Sequence, residues 1–185
     1  QLTDYGISGI CTLCLSGRAA LSLSKKQKTE VKINFLHQLN INDRDTFLNF
    51  MNARNKTVKN RNIADLLDGI LNYKLVNLIL KHSKIKREDN WNDLSNDKKY
   101  LLGDNLTNFT LNIIGTNSFD QAQVTTGGIP LTEINPNTLE SNKIKGLYLT
   151  GELLDVDGDC GGYNLGFAWI SGIIVGSNIR GEDND

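Results

Sequence analysis

Hydrophobic residues recur at two different spacings along this chain, and each spacing predicts one type of secondary structure. In residues 29–36 and 107–114 every second residue is apolar, which is the period of a half-buried strand. Elsewhere apolar residues recur three or four positions apart, which indicates amphipathic helices. These helical stretches are residues 8–22, 42–55, 62–70, 73–82 and 94–106. Their candidate N-caps include Ser8, Asn42 or Asp43, and Ser95.

The pattern changes near residue 117, where Lys- and Asn-rich sequence gives way to glycine-rich sequence with short turns. We therefore predict two domains, residues 1–117 and 118–185. The second begins with a predicted strand in residues 119–130, which ends in Thr-Thr-Gly-Gly.

A strand, turn and helix follow near the carboxyl end. Residues 147–150 are predicted to form a short buried strand, and residues 151–162 a turn rich in glycine and aspartate. Residues 163–179 then form a helix that is apolar on nearly every side. Such a helix must be buried, and we expect it to need a larger α/β body than this chain supplies.

Composition and charge are those of a soluble globular protein. The 185 residues are 39% hydrophobic and 22% charged, and the formal net charge of -1 gives no general reason to expect a nucleic acid or an anionic membrane as partner. No apolar run approaches the roughly 18 residues of a membrane span. The chain opens with QLTDYG, without a methionine or a signal sequence. We expect a cytoplasmic protein, present here as a fragment.

The cysteines and histidines give no clear catalytic pattern. Cys11 and Cys14 form a C-x-x-C pair that lacks a second ligand pair, so buried apolar thiols are favoured over a redox or metal site. His37 and His82 are far apart in sequence, with no neighbouring acid or nucleophile motif. The basic residues from Lys81 to Arg87 are followed at once by acids, which favours a solvated surface.

The turn after residue 150 is the strongest candidate for a binding site. A strand that delivers a glycine-rich loop to a helix N-terminus exposes backbone N–H groups to a ligand oxygen. The loop lacks G-x-G-x-x-G and G-K-[ST], which excludes the usual dinucleotide and phosphate loops. The acids of DVDGD do not complete a calcium loop, because Cys160 and Gly166 replace the required glycine and glutamate. We therefore predict no metal site.

Glu152 is the acidic residue best placed for a ligand. At the end of a predicted strand its carboxylate suits ligand hydroxyls, as acidic residues do for ribose in dinucleotide folds. The same acids and glycines could instead cap turns and adopt positive φ, and the residue types leave both interpretations open.

Several blocks of the chain resemble a known family. VTTGGIPLTEINPNTLES (124–141) and GLYLTGELLDVDGDCGGYNLGFAWISGIIVG (146–176) resemble the carboxyl end of the BaiN/YhiN-like flavoproteins, a family of NAD(P)/FAD-dependent oxidoreductases. TDYGISG (3–9) is similar to a segment of that family's inserted domain. Asp4, Ile10 and Gly166 depart from the family pattern.

The resemblance implies an α/β (α+β) fold: the C-terminal segment of a Rossmann-like FAD-binding domain, together with a mixed helical and β inserted domain in residues 1–117. It also implies that the ADP-binding N-terminal half of the FAD domain lies outside this chain. FAD is the implied cofactor, NAD(P)H a further partner, and no nucleic acid or membrane is implied. The implied FAD-binding residues are Gly151, Glu152, Gly161, Gly162, Tyr163, Asn164, Leu165, Thr126, Gly127 and Gly128.

Two hypotheses for function remain open. In the first, the chain is the C-terminal part of a flavin-dependent oxidoreductase of unknown substrate, with no assigned catalytic residue; Tyr163 and Cys160 are the nearest candidates for a proton donor. In the second, it is a non-catalytic remnant or interaction domain that binds no FAD by itself. A second copy of the chain could then cover the exposed apolar helix in a homo-oligomer.

Overall fold

The fold is taken from a computed structural model, which describes residues 1–58 and 61–182. Internal contacts divide the chain into two units: unit 1 comprises residues 1–29 and 114–185, and unit 2 comprises residues 30–113. The boundary at which unit 2 ends and unit 1 resumes, between residues 113 and 114, lies near the boundary predicted at residue 117. Residues 1–29, in contrast, group with the C-terminal segment. The assignment of residues 1–117 to an inserted domain stays a prediction.

The described part of unit 2 contains four α-helices and a pair of short strands. The predicted strands are confirmed as β1 (Thr29–Ile33), which begins at the unit boundary, and β2 (Phe109–Ile113), which pair in a two-stranded sheet. The predicted helices are confirmed as α2 (Arg44–Thr57), α3 (Ile63–Leu67), α4 (Tyr73–His82) and α5 (Asn96–Thr107).

Side-chain caps explain where these helices begin. The Asp43 carboxylate accepts hydrogen bonds from the N–H and hydroxyl of Thr46, and these bonds lower the pKa of Asp43. Ser95 caps α5, as predicted, by accepting from the N–H of Lys98. Each cap satisfies a first-turn N–H that has no partner within its helix.

Trp91 is the largest fully buried side chain in the core of unit 2. The residue is 1% exposed, and its ring is nearly perpendicular to that of Phe47, with the ring centroids 6.2 Å apart. The indole N–H donates to Asn52 Oδ1 at 2.8 Å, so the polar end of the ring is satisfied. Buried leucine and isoleucine residues of α3, α4 and α5 belong to the same core cluster, and full burial of each contributes roughly 1.5–3 kcal/mol.

Unit 1 contains two longer helices and a small core. These are α1 (Ile10–Ser24) and α6 (Tyr163–Glu182). Ile134, Leu139 and Leu154 form the buried core, against which one side of α6 packs. The opposite side is exposed, with Trp169 70% and Ile173 65% accessible. The sequence predicts that this apolar helix is buried. In the structure only one of its sides is buried.

Two predicted strands of unit 1 are wrong. Residues 119–121 form a single 3-10 turn, and residues 147–150 contribute only an isolated bridge between Tyr148 and Glu140. A strand requires a neighbouring segment with free N–H and C=O groups along its length. Here these extended segments meet a partner at single positions, so no sheet develops.

The start of α1 also differs from prediction. Gly9 is the N-cap and no side chain caps the helix, so the predicted role of Ser8 is wrong. Cys11 and Cys14 are exposed, which contradicts their prediction as buried thiols. The physical reason is that no residue of α1 is buried, so its apolar positions do not face a core within the described residues. Across those same residues, no helix is long and apolar enough to cross a membrane.

Candidate functional site

The predicted cofactor-binding residues lie in two neighbouring loops of unit 1. One loop comprises residues 123–129 and the other residues 151–165. They are joined by a parallel backbone bridge in which the Ile129 N–H donates to the Leu153 carbonyl at 2.8 Å. The Asp155 N–H in turn donates to the Ile129 carbonyl at 3.0 Å. Residues 24 and 26 positions apart in sequence are therefore held together by the main chain.

Two carboxylates fix the Thr-Thr-Gly-Gly turn. Glu152 Oε1 accepts from the N–H of Thr125 at 2.8 Å and from its hydroxyl at 3.2 Å. Thr126 Oγ1 donates to Asp157 Oδ2 at 3.1 Å. Glu152 thus positions the first loop and does not stand at the end of a strand as predicted. Its direct contact with a cofactor stays a prediction.

The two glycines of this turn have different constraints. A Cβ on Gly128 would lie 2.7 Å from the Leu154 carbonyl carbon and 2.8 Å from the Asp155 nitrogen, because the two loops cross here without room for a side chain. Gly127 has φ +105 and nothing within 4 Å of a Cβ. Gly128 is required for close packing, whereas Gly127 is required only for its backbone conformation.

The second loop ends in a turn that opens α6. Gly161 and Gly162 have φ of +135 and +94, which other residues rarely adopt. The first backbone bond of the helix runs from the Gly166 N–H to the Gly162 carbonyl at 2.9 Å. The N–H groups of residues 163–165 precede this bond, and within residues 1–58 and 61–182 they have no hydrogen-bond acceptor, as is usual for the first turn of a helix.

Asn164 closes the loop rather than capping the helix. Its Oδ1 accepts from the Gly158 N–H at 2.7 Å, and its Nδ2 donates to the Gly158 carbonyl at 2.9 Å. This reciprocal pair holds residues 158–164 in one conformation. The first-turn N–H groups of α6 are left for another acceptor.

Gly151 attaches the loop to the middle of α6. Its N–H donates to the buried hydroxyl of Ser171 at 3.0 Å, and that hydroxyl donates to the Ala168 carbonyl at 2.9 Å. A Cβ on Gly151, where φ is +62, would lie 3.5 Å from the Ala168 side chain. Residues 151–162 are thus attached to α6 at both ends. Gly151 bonds to Ser171 in the middle of the helix, and Gly162 leads directly into its first residue.

The loop is acidic and contains no cation. Glu152, Asp155, Asp157 and Asp159 are exposed, and residues 146–179 contain no lysine or arginine. Of the two candidate proton donors, Tyr163 is 69% exposed, and Cys160 is partly buried with its Sγ 3.7 Å from Gln123 Oε1. Within residues 1–58 and 61–182 no group of three or more His, Cys, Asp or Glu could hold a metal ion.

Sequence reasoning missed the residues that arrange the site. Thr125 bonds to Glu152, 27 positions away, and Asp157 bonds to Thr126, 31 positions away. These bonds hold the two loops together, and no local pattern in the sequence indicates such pairs. Ser171 did leave a signal, since a hydroxyl within an apolar helix needs a partner.

Comparison with known proteins identifies a family and several relatives of this chain. The profile of the HI0933-like protein Rossmann domain matches residues 16–178. The chain is 37% identical over 95% of its length to the 3-dehydro-bile acid delta(4,6)-reductase of Clostridium scindens, of which it covers 42%. It is 33% identical over 85% of its length to the ribosomal RNA dihydrouridine synthases of Haemophilus influenzae and Escherichia coli, of which it covers 38%.

The chain therefore spans about two fifths of the length of these relatives. Its fold class is α/β, as predicted, and the resemblance noted in the sequence is confirmed. The profile match covers most of the chain and includes both loops of the site. We conclude that this chain belongs to the HI0933-like Rossmann domain family.

Proposed function

We propose that this chain is part of a flavin-dependent oxidoreductase and supplies the closing half of its FAD site. The observation that carries the proposal is the turn at residues 158–165, which Asn164 fixes at the start of a 20-residue helix and whose N–H groups at 163–165 have no acceptor within the described residues. A segment corresponding to the remaining length of the relatives would supply the ADP-binding half.

The residues present fit the ribityl chain and the pyrimidine edge of a flavin better than they fit its pyrophosphate. Carboxylates at four positions of the loop, with no neighbouring cation in residues 146–179, disfavour a pyrophosphate at this point. The same groups accept hydrogen bonds from ribityl hydroxyls, and the amide donors suit a neutral ring carbonyl. Glu152 keeps one oxygen that has no hydrogen bond to the described part of the protein. We therefore assign this loop to the ribityl chain and the pyrimidine edge.

The Thr-Thr-Gly-Gly turn completes this side of the site. Thr126 and Gly127 are exposed, and a Cβ on Gly127 would meet only open space, so a flat ring can approach the backbone there. A bound flavin would supply hydride transfer, with NAD(P)H as the reductant. The chain's own residues bind and orient the ring.

The names of the relatives narrow the class of reaction. One is a reductase, and the others form a dihydro product, so reduction is the class that the names share. We extend that class to the protein of which this chain is part.

A matched pair of glycine variants tests the proposal. Each variant is titrated with FAD, and binding is measured by flavin fluorescence and visible absorption. Gly162→Ala strains the turn at φ +94, which costs about 1–2 kcal/mol and moves the first-turn amides. Gly172→Ala lies within α6 with nothing within 4 Å of the new Cβ, and serves as the control. We expect Gly162→Ala to weaken FAD binding about tenfold and Gly172→Ala to leave it unchanged.

The second hypothesis is a chain that binds no flavin by itself. It is favoured by the exposed side of α6, which the described part of the chain does not cover. Adding the N-terminal half of a family relative in trans separates the two. Flavin binding that appears only with the added half supports the proposal for the whole protein, and its absence in both samples refutes it.

A further inference from the structure

We propose that Cys11 and Cys14 are a redox-modification site, and that they form a reversible disulfide within the first turns of α1. The inference is independent of flavin binding, since neither thiol belongs to the two loops of the candidate site. It rests on exposure, on spacing along the helix and on the way in which α1 begins.

Both thiols can be reached by a small oxidant. Cys11 and Cys14 are exposed, and α1 has no buried residue. The third cysteine, Cys160, is partly buried next to Gln123 and has no cysteine three positions away. The chain thus contains one accessible pair and one single thiol for comparison.

The spacing brings the two sulfurs to the same side of the helix. Side chains three positions apart on a helix have Cβ atoms about 5–6 Å apart. A disulfide requires about 3.5–4.5 Å between Cβ atoms, so closure needs a movement of roughly 1–2 Å. This movement is small for a helical turn that can open locally, and it leaves the bond strained.

The start of α1 permits that opening. Cys11 is the second residue of the helix, and Gly9 before it, at φ +112, provides no side-chain cap. The Leu13 N–H to Gly9 carbonyl bond, at 3.0 Å, holds the first turn. Uncapped first turns open at little cost in free energy. A strained, exposed disulfide is also easily reduced, as a regulatory one must be.

The chemistry is thiol–disulfide exchange with a small-molecule disulfide such as oxidised glutathione. One cysteine thiolate attacks a glutathione sulfur, which forms a mixed disulfide and releases one glutathione thiolate. The second cysteine thiolate attacks the protein sulfur of that mixed disulfide and releases the other. The two cysteines lose two protons and two electrons, and the oxidised glutathione becomes two molecules of reduced glutathione.

The test is equilibration of the 185-residue chain in glutathione buffers of increasing oxidation, followed by acid quenching, alkylation and mass spectrometry of peptides. We expect Cys11 and Cys14 to lose their free thiols together, with a mass lower by two hydrogen atoms and no bound glutathione. Cys14→Ser should instead carry glutathione on Cys11, about tenfold more than the wild type or higher, because the resolving thiol is absent. Cys160→Ser should behave as the wild type.

Circular dichroism confirms that the serine variants remain folded, and exposed positions tolerate this substitution. The proposal is overturned if the wild type accumulates glutathione on both cysteines, or if either is linked to Cys160. It is overturned equally if both remain reduced in buffers that modify Cys160.

Discussion

Gly128 offers the sharpest test of how the two loops are held together. Replacement by alanine places a Cβ 2.7 Å from the Leu154 carbonyl carbon and 2.8 Å from the Leu153 oxygen and the Asp155 nitrogen. Backbone atoms cannot rotate away, so the loops must separate by about 0.7 Å to reach ordinary contact. The bridging bonds of 2.8 and 3.0 Å on either side of Ile129 then exceed normal hydrogen-bond length.

The cost follows from these distances. Two backbone hydrogen bonds contribute about 1 kcal/mol each, and the strained backbone adds about 1–2 kcal/mol. Gly128→Ala is therefore expected to destabilise the paired loops by about 3–4 kcal/mol. Gly127→Ala is the matched control, since its Cβ meets no atom within 4 Å and only the strain at φ +105 applies.

Amide hydrogen exchange measures this locally. The amides of Ile129 and Asp155 form the bridge, and 3 kcal/mol corresponds to roughly 100-fold faster exchange. Gly127→Ala should accelerate exchange about 30-fold at most, since only about 1–2 kcal/mol of backbone strain applies. Amides of unit 2, such as that of Phe47, should not change in either variant. Equal acceleration in both glycine variants would show that backbone strain, and not the close crossing of the loops, decides the packing.

Two further predictions concern polar side chains. Asn164→Ala removes both hydrogen bonds to Gly158 and should raise the exchange rate of the Gly158 amide at least tenfold; Asn164→Asp keeps the bond from that N–H and should retain most of the protection. Asp43 has a lowered pKa in the folded chain, so its stabilising effect is present above the unfolded value near 3.8 and is lost as pH falls through the folded pKa. Urea unfolding of wild type and Asp43→Ala should therefore differ at pH 7 and converge in strong acid, and a difference that persists there would contradict this assignment.

The helices of unit 2 could be predicted from the sequence because their signals are local. Asp43 and Ser95 lie three residues before the N–H groups that they cap, and the apolar residues that follow share one helical face. The two strands were found for the same reason, since alternation is visible within five residues.

The loops of the candidate site could be predicted only in part. The glycines and the start of α6 were identified because positive φ and helix entry leave local traces. The partners of Glu152 and Thr126 were not, because they lie 27 and 31 residues away and depend on how the chain folds back. The exposure of Cys11 was missed because an apolar helix predicts burial but does not show what covers it.

The buried Ser171 hydroxyl has a consequence for how α6 can evolve. Because it joins the Gly151 N–H to the Ala168 carbonyl, it fixes both the rotation of the helix about its axis and its position along that axis. Apolar contacts alone would allow the helix to slide or turn by small steps. Substitutions on the exposed side of α6 can therefore accumulate without displacing the amides at its first turn, which separates the evolution of the surface from that of the site.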